Sequence, residues 1–233
     1  MAIRPFIYID QGSALATIGI GTPSTGVSII TTSSLTFSHT VAAGNSRVLI
    51  VATGAVDATV GDTVATGVTY GGIAMTSVDS QTSAAGNQDI GGSLWILPAP
   101  AVGTANVVIT YTGACDGKVG IACVFTNVDQ TTPQDVAATG ASGSAATSTS
   151  LSRTSATAGA LGVDLTCTRL LKTHNEGTSP QTMLTSDQST GGEDMTLSVS
   201  TELNAVAGSF SMSRTWTGSE IYTQSMMVLR PAS

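Results

Sequence analysis

Alternation with a period of two constrains this chain more than any other feature. In "SLTFSHTV", Leu35, Phe37, His39 and Val41 fall on one side, and Ser34, Thr36, Ser38 and Thr40 on the other. Only an extended strand sorts its side chains this way. The pattern returns in "VGIACVF" (Val119, Ile121, Cys123 and Phe125) and in "ALGVDLTCT" (Leu161, Val163, Leu165 and Cys167). It returns again in "MTLSVSTEL", with Met195, Leu197, Val199 and Leu203 inward. "RVLIVAT", residues 47 to 53, is a near-continuous apolar run and reads as a strand covered on both faces. No apolar stripe recurs at 3.6 residues over a helical length. Turn-forming clusters separate the runs: "AAGNS", "YGG", "ACDGK", "STGGED" and "WTGSE". A last strand, "IYTQSMMVLRP", ends at Pro231. The expected fold is all-β: an antiparallel, jelly-roll-like sandwich with little or no helix.

The most apolar passage is "SLWILPAPAVGTANVVITYT", residues 93 to 112. Pro98 and Pro100 interrupt it, and Thr104, Asn106, Thr110 and Thr112 dilute it, so it does not read as a membrane span. Leu94 to Leu97 reads as a buried strand that the prolines end. Gly103-Thr104 turns the chain, and Val107, Ile109 and Tyr111 begin the next inward face. The passage is expected to form a corner of the sandwich. "AATGASGSAATSTSLSRTSATAGA", residues 137 to 160, is either a linker or a Ser/Thr-rich strand pair. The division expected is an N-terminal arm or extra strands over 1–33 and one continuous sandwich domain over 34–233.

Charge narrows the function classes. Charged residues make up 10% of the chain, against roughly a quarter in an average protein. The net charge is −7, and the eight basic residues are scattered. Phosphate backbones are bound by clustered Lys and Arg, so no nucleic-acid partner is expected. No window is long and apolar enough for a helical span, and no membrane partner is expected. "MAIRPFIYID" reaches Asp10 without an apolar stretch of signal-peptide length, so no classical secretion signal is expected. The cysteines are Cys115, Cys123 and Cys167; an odd count excludes a complete disulfide framework. With Asp116-Gly117 as a hairpin turn, Cys123 falls nearer Thr110 than Cys115. Free, buried thiols are expected, as suits a reducing compartment.

Catalytic candidates are sparse. His39 lies on the apolar side of a strand and reads as a hydrogen-bonded structural histidine. His174, in "KTHNEGTSP", reads as loop polarity. HExxH, CxxC, P-loop and G-x-S-x-G patterns are missing. Glu193-Asp194 with Asp187, and Asp57 with Asp62, are loose acidic groups without EF-hand spacing, and read as solvated loops. No catalytic, cofactor or metal residue is assigned. Among the aromatics, Trp95 reads as core. Trp216, in the loop-like "SRTWTGSE", and Tyr222 are the candidates for ligand or interface contact. Pro5, Phe6, Ile7 and Tyr8 are candidates for an inter-subunit arm.

The succession "SLTFSHTVAAGNSRVLIV", "VTYGGIAMTSV", "LWILPAPAVGTANVVITYT", "IACVFTNVDQTTP" and terminal "MMVLRPA" resembles β-sandwich proteins encoded in tailed-phage and prophage genomes. These are virion structural components, including capsid decoration or cement proteins and tail-associated parts. The resemblance is strongest over residues 34 to 136, and its motifs are structural rather than catalytic. It implies a non-enzymatic virion protein without cofactors, assembled in the host cytoplasm. Its partners would be the major capsid protein or other virion proteins, and further copies of itself in a homotrimer or other symmetric homo-oligomer. A carbohydrate- or receptor-binding module of a tail or fibre is the alternative.

Overall fold

The computed structural model describes residues 15–177 and 180–233. Sixteen strands and no helix occur among them. They form three antiparallel sheets stacked as layers, so the sandwich expected from the alternation is present with a third sheet added. The middle sheet runs β1 (Gly19–Ile20) and β2 (Ser24–Ser28), both on β10 (Gly117–Thr126), then β4 (Val48–Asp57), β8 (Gln88–Pro98) and β7 (Thr76–Ala85). On one face lies a four-stranded sheet of β3 (Thr32–Val41), β9 (Gly103–Cys115), β5 (Ala65–Tyr70) and β6 (Ile73–Ala74). On the other lies a sheet of β11 (Gln134–Thr154), β16 (Ser209–Leu229), β12 (Ala160–Arg169), β15 (Met195–Asn204) and β14 (Thr182–Ser189). The short β13 (Asn175–Glu176) also pairs with β16.

The middle position explains the near-continuous apolar strand. Val48, Ile50, Ala52 and Val56 of β4 enter the core shared with β12 and β15. Leu49, Val51 and Ala55, the alternate residues, enter the core shared with β3, β5 and β9. Every residue of β4 is buried. Runs of this kind usually mark parallel sheets; here an antiparallel strand is covered on both faces because a third layer exists. Gly54 lies opposite Gly92 in the β4–β8 ladder. A Cβ on Gly54 would meet the Met195 methyl and the Cys167 sulfur, so the missing side chains let the third sheet approach.

Residues 93–112 form the expected corner. β8 ends at Pro98, and the chain crosses to the flanking sheet through Ala99 (φ 50°) and Gly103 (φ 120°). Trp95, Val107, Ile109 and Tyr111 are core. Gly71-Gly72 closes the β5–β6 hairpin with both φ angles positive, 56° and 81°, the geometry a two-residue turn requires.

Several expectations need correction. Asp116-Gly117 is not a hairpin turn. β9 belongs to the flanking sheet and β10 to the middle one, so the chain changes layer there. Of the two readings of residues 137–160, the linker falls and the strand holds: most of them belong to one 21-residue strand, β11, paired with β16 along its length. "WTGSE" does not end a strand; it is a bend inside β16, where Gly218 has φ 80° and the ladder shifts register between Ala146↔Glu220 and Ser148↔Thr215. Leu203, expected inward, is 48% exposed at the end of β15. Cys115, Cys123 and Cys167 are free and buried.

Candidate functional site

The bend in the β11–β16 ribbon builds the most unusual environment in the molecule. Beyond the bend, residues 209–216 of β16 and 148–154 of β11 lie over the outer face of their own sheet. That face carries Gly162, Asp164, Thr166 and Thr168 of β12, Thr196, Ser198 and Ser200 of β15, and Gln224, Met226 and Val228 of β16. At one end of the covered face, Phe210 and Met212 meet Ala160, Met226 and Val228 in a small apolar cluster. Gly162 fits beneath them, since a Cβ there would lie 3.0 Å from both Met212 and Phe210.

Towards the bend the cluster becomes polar. Arg214 and Asp164 are fully buried and pair at 3.3 Å. The Arg214 Nε also donates to Ser198 Oγ at 3.3 Å. Asp164 is over-supplied with donors: its Oδ1 accepts from Ser200 and from Gln181 Nε2 (3.4 Å), and its Oδ2 from Gln224 Nε2 (2.9 Å). Gln224 accepts the Thr149 hydroxyl at 2.9 Å, which ties β11 into the same network. A buried charge survives only with such pairing and hydrogen bonding.

His174 sits beside this pair. Its Nε2 is 2.8 Å from Thr168 Oγ1 and its Nδ1 2.7 Å from Ser198 Oγ. One ring nitrogen donates and the other accepts, as a neutral imidazole requires. Burial, and secondarily the Arg214 charge, push the His174 pKa down to about 3. His174 is therefore a buried element of the network, which corrects its reading as loop polarity. The Ser198–His174 contact is enclosed: Ser198 and Thr168 have no exposed surface. What the arrangement does chemically is fasten the folded-back ribbon to the sheet.

Trp216 closes the polar end. It lies in β16 rather than in a loop and is 4% exposed, which corrects its reading as an exposed aromatic. Its indole donates to the Ala146 carbonyl at 2.9 Å, and its ring makes tilted contacts with His174 (centroids 5.8 Å apart) and Tyr222 (5.6 Å). The sequence reading thus named two members of this cluster, Trp216 and Tyr222. It missed Asp164, Arg214, Gln224, Ser198 and Ser200, which occupy alternate positions of strands and look solvated until something covers them, and Gln181, which lies just before β14. Pro5, Phe6, Ile7 and Tyr8 lie outside the described residues.

The remaining candidates are dispersed. His39 is 1% exposed and its Nδ1 contacts Ser24 Oγ at 2.9 Å, in keeping with a structural histidine; burial lowers its pKa. Among the described residues no three His, Cys, Asp or Glu side chains converge to hold a metal. Glu193 accepts from Gln88 and pairs with Arg169, while Asp194 accepts the Gly191 amide. Asp57 is buried, and that burial raises its pKa against the opposing Thr59 amide. An open apolar groove of about 430 Å³ lies at the corner, between Tyr70, Ile73 and the 97–105 connection. No protein-family model, no curated protein and no solved structure matches the chain.

Proposed function

We propose that the chain is a non-enzymatic structural protein of a virion, a capsid decoration or cement subunit that acts through contacts between subunits. The observation that carries this reading is the distribution of side chains between interior and surface. The ionisable network on the third sheet is enclosed and serves to hold the β11–β16 ribbon in place. The open surfaces are Ser- and Thr-rich sheet faces and strand edges, suited to many shallow contacts with neighbours. The motif order over residues 34 to 136 supports a virion setting by resemblance. Its partners in this reading are a shell protein and further copies of itself, with no cofactor. The buried position of Trp216 gives the carbohydrate-binding alternative no exposed platform at that residue.

Quantitative mass spectrometry of purified particles tests the reading. Copy number proportional to the major capsid protein is the expected result. A few copies per particle would instead favour a tail or fibre part, and absence from particles would overturn the proposal. Deletion of residues 1–14 is the appropriate test of an N-terminal arm, because a deletion to residue 30 would also remove β1 and β2 from the middle sheet.

A further inference from the structure

One long run of this chain carries no charge. From Gln11 to Ser46 the sequence holds no Asp, Glu, Lys or Arg, in a chain of net charge −7. That run supplies β1 and β2, at the edge of the middle sheet, and β3, at the edge of the flanking sheet. Among the described residues no strand pairs with the outer side of β1 or β2.

This edge also differs in what it exposes. β7, the opposite edge of the same middle sheet, and β14, an edge of the third sheet, present Thr, Ser and Ala as their exposed residues. The β1–β2 side exposes Ile20 (45%), Val27 (41%), Ile29 (46%) and Ile30 (70%). Natural edges are normally blunted by charge or proline; β1 and β2 contain neither, Pro23 lying in the gap between them, and an open aliphatic edge invites another strand. The aliphatic pair is held firmly. The buried Lys118 ammonium donates to the Ile30 carbonyl at 2.8 Å and to the Cys115 carbonyl at 2.6 Å. Thr31 donates to Asp116 Oδ1 at 2.8 Å. Ile29 and Ile30 therefore form a fixed knob at one end of β2. At the other end is an apolar cleft of about 280 Å³, lined by Gly21, Thr22, Thr40, Ala42, Val124 and Thr126. Asp116 stands beside the knob.

We propose that this edge is a two-fold interface in which β2 pairs antiparallel with β2 of a second copy, about an axis near Gly26. The inference deepens the assembly-subunit reading and rests on it. A two-fold contact requires one patch to complement itself, so that what lies at one end must fit what lies at the other. Here the knob meets the partner's cleft twice. Backbone hydrogen bonds across the β2 edges supply the ladder, and apolar side chains the specificity. Strands without charged residues are also where two acidic chains approach with least repulsion.

Sedimentation equilibrium of the full chain tests this, using the wild type, Ile30→Glu, Thr40→Arg and an equimolar mixture of the two variants. Both residues are exposed, and circular dichroism checks that each variant folds. The wild type is expected at twice the 23.3 kDa chain mass. Each variant should raise the dissociation constant roughly tenfold or more, because it places an unpaired charge in an apolar contact. The mixture should recover a heterodimer, since the introduced carboxylate and guanidinium meet at one of the two contacts. Association that is indifferent to both variants places the interface elsewhere and overturns the proposal while leaving the assembly-subunit reading intact. A wild type that stays monomeric at every concentration overturns the pairing; particle copy number then decides the broader reading separately. Association lost on deleting residues 1–14 yet insensitive to both variants makes the N-terminal segment the occupant, which also overturns it.

Discussion

Replacing Arg214 by Met is the most direct perturbation of the enclosed network. The guanidinium and the Asp164 carboxylate have no exposed surface. Methionine fills much of the same volume, so little of the loss should come from a cavity. What remains is an ionised carboxylate without its cation. Breaking a buried pair from one side typically costs about 3–5 kcal/mol. Asp164 keeps three neutral donors, from Ser200, Gln181 and Gln224, so the lower end, about 3 kcal/mol, is expected. For a chain of this size that corresponds to a fall in Tm of roughly 6–12 °C. Asp164→Asn should cost a similar amount by stranding the guanidinium. The double variant should lose clearly less than the sum, with a coupling of about 2 kcal/mol in a double-mutant cycle. Guanidinium-induced unfolding of the four proteins gives these values. A single-variant loss below about 1 kcal/mol, or strict additivity, would refute the argument that this pair is a desolvated, mutually dependent unit.

His174 makes stability depend on pH in a defined direction. Its folded pKa of about 3 lies below the 6.5 of an ordinary histidine, so between those values the unfolded chain binds more protons. The penalty is negligible above pH about 6.5 and grows as the pH falls, reaching about 2 kcal/mol at pH 5; His174→Gln should flatten the stability profile by that amount over this range. Gly91→Ala should cost about 3 kcal/mol or more, because its Cβ would collide with the Thr63 backbone carbonyl; an expressed variant of unchanged Tm would count against that packing. Burial pushes all three thiols up to about 12, so the native protein should resist alkylation at pH 8 and the denatured chain should react at Cys115, Cys123 and Cys167. Rapid labelling of the folded protein would contradict the layered burial.

The strands were legible where alternation met a half-buried environment. Leu35, Phe37, His39 and Val41 all point inward, as their spacing implies. The corner at Pro98 to Gly103 was legible because proline and glycine act locally, through a missing donor and a permitted φ. The polar cluster was not. Asp164 between Val163 and Leu165 has the pattern of a surface residue on a one-sided strand. Only the return of Arg214 and Met212 over that face turns it into an interior position. Local signals misled at Asp116-Gly117 and at "WTGSE" for a related reason: turn chemistry marks a change of direction, and the same residues serve a hairpin, a layer crossing or a bend within a strand.

By itself, then, the sequence determined that this chain forms antiparallel strands, which side of most strands is apolar, and where many of the corners fall. These follow from period-two sorting and from backbone preferences, both of which act over a few residues. The tertiary structure alone decided that there are three layers, that β11 and β16 fold back over their own sheet, and that Arg214, Asp164 and His174 are shut away from water. It also decided that the uncharged strands β1, β2 and β3 gather on one side, where β1 and β2 form an edge without a partner strand among the described residues. Those outcomes depend on contacts between residues far apart in the chain, and burial is a property of what covers a residue rather than of the residue itself.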